Sequence, residues 1–446
     1  MSWRETTLGE ITDLKRGFDL PKSQRLQGDV PVYSSSGITG SNSTAAVEGP
    51  CVITGRYGTI GEVFFSGGPC WPLNTALYST EFNGNNPRFI YYLLQTIPWQ
   101  GYTTASAVPG VNRNHVNLCP VKIPDRATQD AIVEVLDSIV DKIALNNRLN
   151  DYLEQLVDGK FQELFGGLNF NATLSDVAEI TMGQSPAGSS YNEEGAGIIF
   201  YQGRGEFGWR FPKRRLYTTE PKRLACEGDV LMSVRAPVGD LNVAFENCCI
   251  GRGLAAIHSE TPSFALYLMR FLKPQLEAYN GEGTVFGSIN GKALKSLEVA
   301  LPSHNEVMQF ESFAAPIDAL IRSNENETRK LNNLRNYLLP KLMSGEIDVS
   351  KVDLTQLTNN HLAGRMHWSN VIRVRAIHAV HSQQSQIPAY ESVPKVSHSP
   401  CRTALTLGGI APLLSWLAVS QFTAQSFAML VVFCQVVLCG VSSELS

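Results

Sequence analysis

The chain has 446 residues, 43% of them hydrophobic and 17% charged, with a formal net charge of -4 at pH 7. That is room for two or three domains with real cores. It excludes a chain too polar to fold and a global basic field that advertises nucleic acid. Charge is uneven all the same: residues 351–446 carry six Lys/Arg against three Asp/Glu, which leaves residues 1–350 with a net of -7. Any DNA surface must therefore be a local patch.

The first module reads from about Ser2 to Pro124. It is rich in Gly, Ser, Asn and Thr, and short apolar runs such as Cys51-Val52-Ile53 and Glu62-Val63-Phe64-Phe65 read as strands between turns. One helix is expected at Pro87 to Gln95, where Phe89, Tyr92 and Leu93 share a face. Arg56 follows a strand inside a Gly/Pro-rich loop, placed either to reach a phosphate or guanine edge or to pair with a carboxylate of its own module. Residues 82–124 contain no Asp or Glu, and within them Asn112-Arg113-Asn114-His115 is a cluster suited to base edges and phosphates. Asparagines are also ordinary turn residues.

Pro124-Asp125 opens something different. Ile132, Leu136, Ile139, Ile143, Asn146, Leu153 and Val157 follow at steps that are mostly fours and threes, a heptad seam in a long helix ended by Gly166-Gly167. About forty residues at ~1.5 Å rise give a rod of roughly 60 Å.

The chain then repeats itself. Thr7-Leu8-Gly9-Glu10-Ile11 returns as Thr173-Leu174-Ser175-Asp176-Val177, 166 residues on, and Val121-Lys122-Ile123-Pro124 as Val299-Ala300-Leu301-Pro302, 178 residues on. The growth of about twelve residues lies between Met182 and Arg223. Glu48 to Arg56 aligns with Glu227 to Arg235, making Arg235 the counterpart of Arg56, with one residue dropped before Gly61 meets Gly239. Asn290-Gly291-Lys292 keeps an Asn and a cation, Lys292, against the first module's Asn/Arg cluster. Residues 209–223 set six cations, Arg210, Lys213, Arg214, Arg215, Lys222 and Arg223, against one acid, with aromatics interleaved. DNA backbone contact is the physical expectation, a solvated charge run the alternative.

The second long helix spans about Asn305 to Met343, pairing Ile139 with Ile317, Ile143 with Ile321, Asn146 with Asn324 and Leu153 with Leu331. Pro316 near its start is expected to kink or delay it. Two similar helices bury their stripes by packing on each other, which relates the modules by a pseudo-twofold axis with a coiled coil as spacer. Asn146 and Asn324 either fix register in the seam or face solvent.

Catalytic signatures fail on context. Gly203-Arg204-Gly205-Glu206-Phe207-Gly208 has the glycine spacing of a dinucleotide site, but no amphipathic helix follows. Gly291-Lys292 lacks the hydroxyl of a phosphate loop. Asn86-Pro87-Arg88-Phe89 is one residue from an amino-methyltransferase motif with no cofactor loop beside it. Asp158 and Lys160 lie on a helix far from Asp125 and do not complete a nuclease set. The nine cysteines are scattered without a CxxC, which predicts reduced thiols, no metal site and a cytoplasmic protein.

Two globular modules alternating with two long helices, each helix after a strand ending in Pro, resemble the specificity subunit of type I restriction–modification systems over about residues 2–348. The module-opening Thr-Leu-x-[Glu/Asp]-[Ile/Val], the Val-x-[Ile/Leu]-Pro before each helix and the run Leu338 to Ile347 carry the resemblance. Of the family's Pro-Pro-x-x-Glu-Gln at each helix start, Gln129 and Gln309 survive, with Glu306 displaced by one position. The resemblance implies an α+β fold with target-recognition domains at 1–125 and 167–303. It implies a central helix at 126–166 and a second conserved helix at 304–348, packed as an antiparallel coiled coil. It implies recognition of a bipartite, asymmetric double-stranded DNA site and docking of two modification subunits and of restriction subunits. S-adenosylmethionine, ATP and magnesium are then expected on those partners, none on this chain, which is expected to be non-catalytic. The rival expectations are a coiled-coil protein adaptor and an autonomous DNA-modifying enzyme.

Residues 349–446 fit neither copy. Five of the eight histidines fall between His361 and His398, and Thr403 to Ser443 passes 41 residues without a charge. The preferred expectation is translation beyond a natural end through a frameshift or foreign junction. A membrane anchor and a genuine extra domain are the alternatives.

Overall fold

The computed structural model describes residues 3–103, 110–281 and 287–349. The expectations for the tail from residue 350 onward lie outside the described residues.

The repeated motifs mark the two ends of one strand pair in each module. In the first module the opening strand Trp3–Thr7 pairs antiparallel with the closing strand Pro120–Pro124, setting Thr6 against Val121. In the second, Ala172–Thr173 pairs with Glu298–Val299, setting Ala172 against Val299. Each module is thus clasped at its base by its own two signatures, and each clasp feeds a long helix. Between them lies a four-stranded sheet of one design. In the first module its order is Lys15–Arg16, Ala76–Ser79, Cys51–Gly55, Val63–Ser66. In the second it is Glu179–Met182, Leu254–His258, Val230–Ser233, Leu241–Val243. The second sheets differ: three strands in the first module, five in the second, where the inserted stretch supplies Tyr191–Asn192, Ile198–Tyr201 and Leu216–Thr218.

Register corrects the alignment of the two arginines. Val52 pairs with Ser79 in one sheet and Val230 with Ile257 in the other, an offset of 178 on both strands. Val111 N–H donates to the Arg56 carbonyl at 2.9 Å, and Ile289 N–H donates to the Val234 carbonyl at 3.1 Å. The counterpart of Arg56 is therefore Val234, no residue is dropped before Gly239, and Arg235 matches Tyr57. A one-residue slip in a strand reverses the face that a side chain takes.

The helix at Pro87–Leu94 forms as expected, and Pro262–Phe271 is its counterpart in the second module, each opened by a proline in the first turn. The long helices run Arg126–Phe165 and His304–Ser344, the second continuing through Pro316 and Pro340. Asp125 caps the first by accepting from Thr128 N–H. Ser303 and Glu306 form a capping box on the second, and Gly345, at φ 77°, ends it in the left-handed conformation. Carboxylates at such caps are held below the usual range by the hydrogen bonds that they accept: Glu10, Asp125, Asp176 and Glu306 all show it. Their contribution to stability is full above the ordinary carboxyl range and lost as pH falls through the lowered folded values. Thermal melts from neutral pH downward are expected to lose stability through that window, with a smaller loss in Glu306→Gln.

The helices pack antiparallel. Lys142 pairs with Glu327, Asn146 donates to Glu327, and Asn324 donates to the Asn150 side chain. Their ends are absorbed into the modules. The first module's core takes in Ile132 and Leu136 together with Leu342 and Met343. The second takes in Leu153, Val157, Phe161 and Phe165 together with Phe310, Ile317 and Ile321. The modules therefore sit at opposite ends of the helix pair. The middle of the seam is polar: Asn146, Asn150, Asn324 and Thr328 are buried, whereas Ile143 and Leu331 are only partly so. The two asparagines of the repeat thus lie in the seam, not in solvent. Asn324→Leu strands the Asn150 acceptor and is expected to cost about 1–3 kcal/mol. Replacing Asn146, Asn150 and Asn324 together is expected to recover much of that loss in chemical denaturation.

Candidate nucleic-acid interface

In the first module the two-residue strand Lys15–Arg16 pairs with Tyr78 and Leu77 at the edge of the four-stranded sheet. The chain can fold back there because Gly17 has no side chain: a Cβ would sit 2.2 Å from the Leu73 carbonyl oxygen. Arg56 follows the strand Cys51–Gly55, one strand further into the sheet, and its guanidinium lies over the Tyr57 ring at 4.6 Å. A bridge between Tyr57 and Gly110 brings the next loop alongside. There the Asn112 side chain accepts from Asn114 N–H at 3.0 Å and caps the short helix Arg113–Val116. These elements enclose a cleft of about 660 Å³ lined by Lys15, Arg16, Arg56, Arg113 and the amides Asn112 and Asn114. Lys15 pairs with Glu81 and Arg16 with Asp19, whereas Arg56 and Arg113 have no carboxylate partner among the described residues. His115 is exposed in the same turn but does not line the cleft.

The second module has a cleft beside the matching edge strand and the matching Asn-capped turn. Gly183 stands where Gly17 does, a Cβ there meeting the Gly251 carbonyl oxygen at 2.2 Å. Asn290 accepts from Lys292 and Ala293 N–H, both at 3.0 Å, and caps Gly291–Lys295. The cleft, about 770 Å³, is lined by Thr181 and Met182 in place of Lys15 and Arg16, with Arg223, Lys292, Lys295 and Glu179. The three cations have no carboxylate partner among the described residues. Arg235 is exposed but, shifted one place from the position of Arg56, does not line this cleft.

The basic stretch behaves differently from the expectation. Arg210 is a correction: it is 4% exposed, its guanidinium donates to the Tyr267 hydroxyl at 2.9 Å, and it lies 3.2 Å from Asp318 and 3.4 Å from Glu154. It clamps the module to both long helices, because a buried guanidinium requires carboxylate partners. Arg214 pairs with Glu246 at 2.5 Å and Arg215 with the buried Glu206 at 2.7 Å, so these charges are already offset within the module. The backbone of the stretch is held too, Arg329 donating to the Pro212 carbonyl at 3.1 Å. Lys213, Lys222 and Arg223 remain exposed and unpaired among the described residues, and of the six only Arg223 reaches the cleft.

The first module has a comparable clamp of different origin. Arg88, on the Pro87–Leu94 helix, and the Tyr92 hydroxyl both donate to Asp137 of the first long helix. Burial, with Asp137 beside it, pushes the Tyr92 phenol well above its ordinary range. Gln129, buried at the helix start, donates to Asn85 and accepts from Asn86 N–H, whereas Gln309 is exposed. In the second module Glu311 takes that bracing role by accepting from Ser263 and Phe264 N–H.

Lys15, Arg16 and Lys295 were not legible as site residues. Their only sequence signal is position: the first two stand eight and nine residues after the module-opening Thr7, and the third is three after Lys292. The glycine-rich loop Gly203–Gly208 does line a cleft, about 920 Å³, against the first long helix. Its arginines are spoken for, Arg204 by Asp240 and Arg270 by Asp158.

Residues 1–155 and 171–336 match the family model described as the type I restriction modification DNA specificity domain. The putative type I restriction enzyme MjaX specificity subunit of Methanocaldococcus jannaschii is 30% identical over 373 residues, 77% of this chain and 84% of that protein. The type I restriction enzyme MjaIX specificity subunit of the same organism is 21% identical over 309 residues, 59% of this chain and 70% of that protein. Among solved structures, the type I restriction–modification S subunit from M. genitalium aligns with a TM-score of 0.56 at 15% identity, over 77% of this chain and 96% of that one, a likeness of fold.

Proposed function

Since the chain belongs to the type I restriction modification DNA specificity family, we propose that it is the sequence-specificity subunit of a type I restriction–modification complex, a non-catalytic reader of a bipartite, asymmetric DNA site. Each module, 1–125 and 167–303, takes one half of the site. The observation that carries this reading is the pair of clefts: the matching edge strand and Asn-capped turn border a cleft in each module, but the side chains presented differ. A common frame with divergent linings suits two different half-sites. Within the clefts Arg56, Asn112, Arg113 and Asn114 serve one half, and Arg223 and Lys292 the other. His115, Lys213, Lys222 and Arg235, exposed nearby, contribute charge to the surrounding surface.

The helix pair acts as an antiparallel coiled-coil spacer, setting the half-sites about one turn of duplex apart, ~34–36 Å centre to centre. It also offers the docking surface for two modification subunits, which carry S-adenosylmethionine and methylate adenine. Restriction subunits supply ATP- and magnesium-dependent translocation and cleavage. Six free thiols among the described residues suit a cytoplasmic protein. No helix among the described residues is long and apolar enough to cross a membrane.

Methylome sequencing of the host with and without the gene tests the reading. The expected result is a split methylated-adenine motif that disappears on deletion. Persistence of every such motif, or methylation by this chain alone with S-adenosylmethionine, would overturn it.

A further inference from the structure

One side-chain cluster lies outside the clefts and the clamps. We propose that Cys226, Asp229 and His258 form a binding site for a thiophilic divalent cation of the zinc type. Cys226 to Asp229 is a tight turn: Cys226 N–H donates to Asp229 Oδ2 at 2.7 Å, and Asp229 N–H donates back to the Cys226 carbonyl at 3.1 Å. The pairing of Val230 with Ile257 brings His258 beside Asp229 on the neighbouring strand, with His258 Nδ1 2.6 Å from Asp229 Oδ1. One ligand atom from each of the three residues then lies within 4.8 Å of the others.

Thiolate, imidazole and carboxylate are the donors that zinc takes, at bonds of about 2.0–2.3 Å, which set tetrahedral ligand atoms roughly 3.3–3.8 Å apart. The cluster reaches that spacing by small side-chain rotations. The cation takes the place of the proton held between Nδ1 and Oδ1, the thiol proton leaves to solvent, and water completes the fourth position. Asp229 is 6% exposed, and its second oxygen stays on the Cys226 N–H, which orients the carboxylate as outer-shell partners do.

The fold does not require these three residues. At the 178-residue offset the first module has Glu48, Cys51 and Thr80 at the matching positions and forms the same strand pair, Val52 with Ser79. The sequence gives no warning, because the ligands are a Cys-x-x-Asp turn and a histidine 29 residues beyond the aspartate. The expectation of no metal site rested on the missing CxxC.

The test is zinc content of the full chain after incubation with zinc chloride and gel filtration, with cobalt substitution as the spectroscopic readout. Cys226 and His258 are both exposed, so Cys226→Ser and His258→Gln are expected to fold. Five further histidines lie between His361 and His398, so the measured quantity is the difference between proteins. The expected result is one metal per chain fewer in each variant, loss of the thiolate-to-cobalt absorption in Cys226→Ser, and a zinc-induced rise in melting temperature that the variants lack. Equal zinc content in all three proteins, or no thiolate band in the parent chain, would overturn the proposal.

Discussion

Arg210→Met is expected to lower folding stability by about 3–5 kcal/mol, the cost of leaving buried carboxylates without their counter-charge. Arg210 reaches Asp318 on one long helix, Glu154 on the other and the Tyr267 hydroxyl of its own module. Burial already pushes the Glu154 carboxyl above its ordinary range despite Arg270 and Arg210 beside it, so removing one arginine worsens an existing strain on the charge. Urea denaturation measures the loss. Lys213→Met, three residues on but exposed, is expected to stay within about 0.5 kcal/mol of the parent. If instead Arg210→Met left stability unchanged and reduced the salt dependence of DNA binding, the arginine would be a phosphate contact and the clamp an error.

The second large effect is on DNA. Arg56→Ala combined with Arg113→Ala removes from one cleft two guanidinium groups that have no carboxylate partner among the described residues. If both neutralise phosphates, the slope of log K against log salt falls by about 1.8, some 0.9 for each contact. If either reads a guanine edge, about 1–3 kcal/mol of discrimination at that base goes with it. Fluorescence anisotropy of the assembled complex on its cognate duplex, over a salt series, reads both. Arg214→Ala with Arg215→Ala is expected to change the slope less, because Glu246 and Glu206 already offset those charges. The reverse ranking would return the site to the basic stretch and sink the assignment to the clefts.

These two results bracket what a charge run can say. The six cations of residues 209–223 share one local composition and have three fates: one buried between helices, two paired inside the module, three exposed with no carboxylate partner among the described residues. Composition reports the number of charges, whereas partners such as Asp318 and Glu246 come from distant parts of the chain. The Asn112 and Asn290 clusters were legible for the opposite reason. An asparagine capping a short helix is a local arrangement, and local arrangements leave a local signature.

The sequence by itself determined the duplication, both long helices to within a few residues, the short helix at Pro87, and the closing strand of each module. All of these follow from periodicity, caps and repeated motifs, which act over a few residues. Only the tertiary structure decided that Arg56 matches Val234, because strand register is set by hydrogen bonds to a neighbouring strand and a single gap in an alignment moves it. It also decided that the helix seam is polar at its centre, where Asn146, Asn150 and Asn324 meet across the pair, and apolar only where the modules close over its ends. Burial is a property of what lies opposite a residue, and what lies opposite these residues is more than 170 positions away in the chain.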